Sequence, residues 1–161
     1  MTLQDAHEIE QVIYRYAVAI DTCDWDLLDG CFTPDAAIRM SVAGRYPSPA
    51  DYREKAKATL ATLDATHHVF SNVRVTVDGD HAAAHSYYQA QHARNELAPD
   101  PLLMIGGWVE DEFARIGGRW LITSRKGTAV WFDGNPAVLG LDVAAGASPA
   151  AVCRVPRSAP L

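Results

Sequence analysis

Ile9, Val12, Ile13, Tyr16, Ala17 and Ile20 recur at three- and four-residue steps over positions 4–21. That period predicts a helix with one buried face. Thr2 followed by Asp5 supplies a cap for its start. The pattern stops near Asp21-Thr22-Cys23, and Asp24 can cap a second, short helix from Trp25 to Cys31 that buries Leu27, Leu28 and Phe32. Thr33-Pro34-Asp35 reads as a turn, 36–42 as a short strand and 44–49 as a loop. Pro49 stands where a third helix can begin, and residues 50–63 put Tyr52, Ala56, Leu60 and Leu63 on its inner side.

From Thr66 the period changes to two. Residues 66–78, 81–96, 102–115 and 119–132 read as strands, with Asp78-Gly79-Asp80 as a hairpin turn and Gly117-Gly118 joining the last two. Helices followed by a four-stranded antiparallel meander predict an α+β fold. A strongly curved, cone-shaped sheet wrapped around the helices would leave a pocket between the two layers. Alternation groups His68 with Phe70, Asn72 and Arg74, and His67 with Val69, Val73, Val75 and Val77. It therefore predicts His67 in a packed layer and His68 on the pocket face. By the same count His92 shares a face with Tyr88 and Arg94, and Arg125 with Thr123, Ala129 and Trp131. Residues 1–132 form the expected domain, and the Gly/Ala/Pro-rich stretch 133–161 is expected to be a tail that packs on the domain or on a partner subunit.

Composition narrows the partners. The 161 residues, 48% hydrophobic and 21% charged, suit one ordinary globular domain. A net charge of −6 argues against nucleic acid or an anionic membrane, which need a basic face. No apolar run is long enough to cross a bilayer, and the first residues lack the basic and apolar regions of a secretion signal. Cys23, Cys31 and Cys153, an odd set without a CxxC pair, suit free thiols in a reducing cytoplasm.

Six histidines (His7, His67, His68, His81, His85 and His92) lack the spacing of metal ligands, so no metal is expected. Nor is there a nucleophile elbow, a phosphate loop or a dinucleotide fingerprint. Asp21 is the local exception. It puts an anion at the negative end of a helix, which predicts that it turns into a pocket and braces His68. The plainer alternative is a turn residue in an Asp/Thr-rich connector. A carboxylate, histidines, a tyrosine and an arginine around a largely apolar cavity suit proton transfer. A neutral histidine backed by a carboxylate is a general base near neutral pH.

With these residues placed, the chain resembles the SnoaL-like group of the nuclear transport factor two superfold. Its nearest likeness is the branch of scytalone dehydratase, bile-acid dehydratase and hexachlorocyclohexane dehydrochlorinase. The resemblance covers residues 4–132. It rests on Ile20-Asp21 with Asp24-Trp25-Asp26, on Thr66-His67-His68, on Gly106-Gly107 with Asp111-Glu112-Phe113, and on Gly118-Arg119-Trp120. It implies that Asp21 pairs with His68, and that His68 removes a proton as a leaving group departs. By position Tyr16 matches a tyrosine of the bile-acid enzyme, His92 a second histidine of scytalone dehydratase, and Arg125 an arginine of the dehydrochlorinase. Ile20, Met40, Gly107 and Val109 stand where scytalone dehydratase has its tyrosines, serine and asparagine, which implies a different substrate.

The expected function is a cofactor-independent lyase of the dehydratase type, or a cyclase or isomerase using the same base. Its substrate would be apolar and cyclic or polyketide-like. Trp25, Met40, Phe70, Tyr88, Trp108 and Trp131 would line the site. The competing expectation is a non-catalytic small-molecule-binding or dimerising module on the same fold. An open sheet face in need of cover predicts a homodimer or higher homo-oligomer.

Overall fold

Helix α1 spans Leu3–Thr22 in the computed structural model, which describes residues 2–141. Its start is fixed by a reciprocal cap: the Thr2 hydroxyl accepts from the Asp5 backbone N–H, and the Asp5 carboxylate accepts from the Thr2 backbone N–H. Its end is fixed by Cys23 in the left-handed conformation (φ 54°), whose N–H bonds back to the Ala19 and Ile20 carbonyls. The face between them buries Ile9, Val12, Ile13, Tyr16 and Ile20. Helix α2, Trp25–Asp29, is shorter than its sequence pattern because Gly30 closes it. Helix α3, Pro49–Leu60, starts at a Ser48 cap and turns Tyr52, Ala56 and Leu60 toward the core.

Among the described residues the sheet has six strands, one more than the sequence pattern predicts, because part of the expected loop 44–49 forms a short strand. They are β1 (Phe32–Met40), β2 (Gly44–Tyr46), β3 (Ala65–Asp78), β4 (His81–Ala93), β5 (Leu102–Ile116) and β6 (Arg119–Gly134), in the order β2-β1-β6-β5-β4-β3. β3 to β6 form the expected antiparallel meander. β1 adds to it in parallel beside β6, and β2 folds back on β1. The turn expected at Thr33-Pro34-Asp35 is instead an irregularity inside β1, where the register against β6 shifts between Phe32 and Ala37. A bulge tolerates Pro34, which has no N–H to give to a ladder.

Three further irregularities decide which way side chains face. Asn72 takes a positive φ of 52°, and the β3–β4 register shifts between Ser71 and Arg74. Thr66, His68 and Phe70 therefore face the helices before it, and Val73, Val75 and Val77 face them after it. The expectation of His67 in one layer with those valines is corrected: His67 lies on the outer face. In β6 the extra residues Thr123 and Val130 have no partner in the β5 register. Arg125 and Ala129 consequently face inward, whereas Trp131 faces out against Gly106.

The helices cover the inner face in two apolar clusters. Ile9, Ile13, Leu28, Ile38, Phe113 and Ile122 anchor the larger one; Tyr88, Leu103, Ile105, Val109 and Val138 anchor the other. Phe70 packs against both. Val138 belongs to a 3-10 turn, Pro136–Leu139, capped by Asn135. The described part of the expected tail is thus a wall of the domain, and residues 142–161 lie outside the described residues. Among the described residues no helix is long and apolar enough to cross a membrane.

Candidate active site

Asp21 occupies the last turn of α1, where no basic residue offsets the helix end. β3 supplies what the helix lacks. The Asp21 carboxylate accepts from the His68 backbone N–H at 2.7 Å through Oδ2, and meets the His68 ring Nδ1 at 2.7 Å through Oδ1. Burial alone would raise the Asp21 pKa; the two His68 hydrogen bonds outweigh it and hold the carboxyl below its ordinary 3.8. An ionised Asp21 assigns the proton to Nδ1 and leaves the lone pair on Nε2. Both side chains are mostly buried, at 18% and 14% exposed. The pairing that the helix end and the strand suggested is therefore present in the structure.

The His68 ring lines a cavity of about 120 Å³ between the helices and the sheet. α1 contributes Tyr16 and Ile20, and α3 contributes Tyr52, Lys55 and Leu60. The sheet contributes Met40, Phe70, Tyr88, His92, Ile105, Val109 and Arg125, and Leu139 of the 3-10 turn closes one side. The lining is largely apolar, so the few polar groups in it stand out.

His92 sits on β4 edge-on to His68, with ring centroids 5.6 Å apart. Burial, and then the charge His68 can carry, push its pKa down to about 4, so the ring is neutral at ordinary pH. Its Nδ1 is buried and has no hydrogen-bond partner among the described residues. Arg125 is fully charged yet 1% exposed. Its Nε and Nη2 donate to the two oxygens of Asp111 at 2.8 and 2.7 Å, across directly paired positions of β5 and β6. Burial would lower its pKa, but Asp111 wins and the net shift is upward. Its Nη1 has no partner among the described residues. The guanidinium carbon lies 3.8 Å from the Tyr16 ring centroid.

The structure thus gathers Tyr16, His68, His92 and Arg125 round one cavity, with Asp21 behind His68. Of the expected substrate-contacting residues it places Met40, Phe70 and Tyr88 in the lining. Three tryptophans lie elsewhere. Trp25 packs against the larger cluster beneath the Lys57 ammonium, 5.7 Å away. Trp108 lies by the His85 ring, 6.4 Å between centroids, and that side of β5 is the outer face. Trp131 is turned outward by the extra Val130. Among the described residues no three histidine, cysteine or acidic side chains gather as metal ligands would.

Residues 1–126 match the sequence profile of the SnoaL-like domain. The chain belongs to the SnoaL-like family. This SnoaL-like chain is 31% identical over 132 residues to the uncharacterized protein Rv2910c of Mycobacterium tuberculosis, covering 78% of this chain and 86% of that one. It superposes on the Kfla4162 protein of Kribbella flavida with a TM-score of 0.75 and 28% identity, over 81% of this chain and 93% of the other. The hexachlorocyclohexane dehydrochlorinase LinA-type3 of Novosphingobium barchaimii shares the fold at a TM-score of 0.73 and 16% identity, over 83% and 92% of the two chains.

Sequence reasoning missed two members of this SnoaL-like site. In the sequence Asp111 stands out only within the Asp111-Glu112-Phe113 stretch. Its inward position between Val109 and Phe113 carried a usable signal, since a carboxylate on a buried strand face requires a cation. Tyr52 was placed on the inner side of α3 but not in the site, because an inward tyrosine reads the same whether its hydroxyl is used or not.

Proposed function

We propose that this SnoaL-like protein is a cofactor-independent carbon-acid catalyst: a lyase of the dehydratase type, or an isomerase or cyclase using the same base. The observation that carries this reading is the 2.7 Å contact of His68 Nδ1 with an ionised Asp21 at the edge of a largely apolar cavity. Nε2 of His68 takes a proton from a carbon beside a carbonyl or other activating group. The released electron pair forms the new double bond as the leaving group departs with its own pair, or returns to another carbon in an isomerisation. Asp21 fixes the tautomer and stabilises the imidazolium while the proton is held. The neutral His92 ring, edge-on to His68 with centroids 5.6 Å apart, offers the substrate a second polar group in the same cavity. A fold neighbour named as a dehydrochlorinase removes HCl by name, and an elimination of that kind fits a base at the edge of a greasy site.

The apolar lining favours a cyclic, weakly polar substrate. The test is a panel of cyclic hydroxy-ketones, followed both for elimination and for exchange of the activated C–H with solvent deuterium. Asp21→Asn and His68→Ala should still fold, melting cooperatively at a somewhat lower temperature, and lose about 10²–10⁴-fold in rate. Full activity in both variants rejects the base. Ligand-dependent melting without turnover or exchange makes the protein a binding module instead.

A further inference from the structure

Helix α3 meets the cavity along one stripe, made by Tyr52, Lys55, Ala56, Thr59 and Leu60. Two of these positions are polar. Lys55 and Thr59 stand four residues apart, so they are neighbours on successive turns of the same face. The other charged side chains of α3 are already engaged. The Arg53 guanidinium reaches Asp29, and Lys57 pairs with Glu54 at 3.2 Å beside the Trp25 ring. Asp51, one turn before Lys55 and its natural partner by spacing, accepts instead from the Ser48 hydroxyl at 2.6 Å. Lys55 has no ion pair or hydrogen bond among the described residues, and the Thr59 hydroxyl has no hydrogen bond among them. Lys55 is exposed and Thr59 half-buried, so the pair lies where the cavity wall meets solvent. At the buried end of the same cavity Arg125 has its charge matched by Asp111.

We propose that Lys55 and Thr59 form a carboxylate-recognition site at the rim of the cavity. The substrate is then an apolar ring that carries a carboxylate, and the carboxylate stays at the rim while the ring enters. A lysine stem can cover apolar surface while its ammonium remains in water, which suits this position. Lys55 and Thr59 each bring a donor, and a carboxylate offers two oxygens to receive them. A phosphate would leave a second charge and further acceptors without cover. Burying the carboxylate with the ring would cost its hydration, so the favourable place for it is the wet rim. The chain as a whole carries −6 and repels anions, so an anionic ligand needs a local cation to admit it. Holding the carboxylate there fixes the direction in which the ring enters, and so which carbon meets His68. This inference deepens the function proposed above and rests on the same cavity. Lys55 selects and orients the substrate and takes no part in the proton transfer.

The probes are 3-phenylpropanoate and its neutral twin 3-phenylpropanamide, compared by calorimetric titration at pH 7 and low ionic strength. Wild-type protein should bind the acid about fivefold or more tighter than the amide, and added salt should shrink that ratio. Lys55→Gln keeps most of the stem and removes the charge. It should bring the ratio to about one while the affinity for the amide stays as in wild type. Lys55→Arg should restore the preference, and Thr59→Val should reduce it about twofold or more. Lys57→Gln removes a cation of the same helix that does not line the cavity, and should leave the ratio alone. In wild-type protein, proton–proton Overhauser contacts should run from the probe's ring to Phe70 and from its carboxylate end to Lys55, a readout that needs no variant. Several results overturn the site: no binding of either probe, no preference for the acid in wild type, or Overhauser contacts that miss Phe70 and Lys55. A ratio that survives Lys55→Gln also overturns it, because the anion then lies deeper in the cavity. So does a ratio lost equally in Lys57→Gln, which makes the effect one of general charge. A Lys55-dependent ratio in a protein that turns nothing over keeps this site and rejects the enzyme reading alone. Turnover of hydroxy-ketones without that ratio does the reverse.

Discussion

Burial and the neighbouring His68 hold the His92 pKa near 4, against 6.5 for an unstrained imidazole. Between those two values the unfolded chain binds a proton that the folded chain refuses. Stability therefore rises with pH across that window and falls as the solution is acidified through it, by on the order of 3 kcal/mol in full. Urea unfolding at pH 7 and pH 4.5 measures this, and His92→Asn should remove most of the difference. Asp21 contributes in a separate, lower window. Its carboxyl is depressed in the folded protein, so its contribution is complete above the ordinary 3.8 and is lost as pH drops through the folded value. At this scale the sequence was readable where a residue broke a local rule, as Asp21 does at a helix end. It was unreadable where a residue obeyed one. Tyr52 on an apolar helix face gave no sign of the Tyr16 hydroxyl that it meets.

Strand existence was legible from the change of period at Thr66, and the ends of the elements fell close to their observed places. Facing was less legible, because one extra residue in a strand reverses every side chain beyond it. The bulges at Asn72, Thr123 and Val130 leave no mark in the alternation of apolar residues, and they moved His67 and Trp131 out of the layers assigned to them. The adjacent glycines of β5 show how tightly one bulge is built. A Cβ on Gly107 would come within 1.9 Å of the Thr128 carbonyl oxygen, which is backbone and cannot yield. A Cβ on Gly106 would meet only the Trp131 side chain, which is 37% exposed and free to swing outward. Gly107→Ala should cost about 3 kcal/mol or more, and Gly106→Ala about 1 kcal/mol. Thermal melts of the two variants, compared side by side, check the order.

The helices cover one face of the sheet, and the other carries Val69 and Tyr87 at 45% exposure beside Trp131 at 37%. An apolar surface of this kind on a curved sheet predicts self-association. Light scattering should give at least twice the 17.5 kDa chain mass, and Val69→Lys with Trp131→Lys should return it to the monomer. A wild-type monomer contradicts the expectation. At this scale the α+β architecture was legible because helices precede strands in the chain. The place of β1 was not, since pairing with the far end of the molecule has no local signature.

That place imposes an order in time. β1 is made early, and the strand it lies beside is the last of the described strands to be made. A nascent chain on the ribosome carries β1 with a bare edge until β6 emerges, and Asp111 waits with it for the arginine that neutralises it. Such distant pairing slows folding. The hollow that holds the chemistry takes its lining from α1 through to Leu139, so it is complete only when synthesis has passed β6.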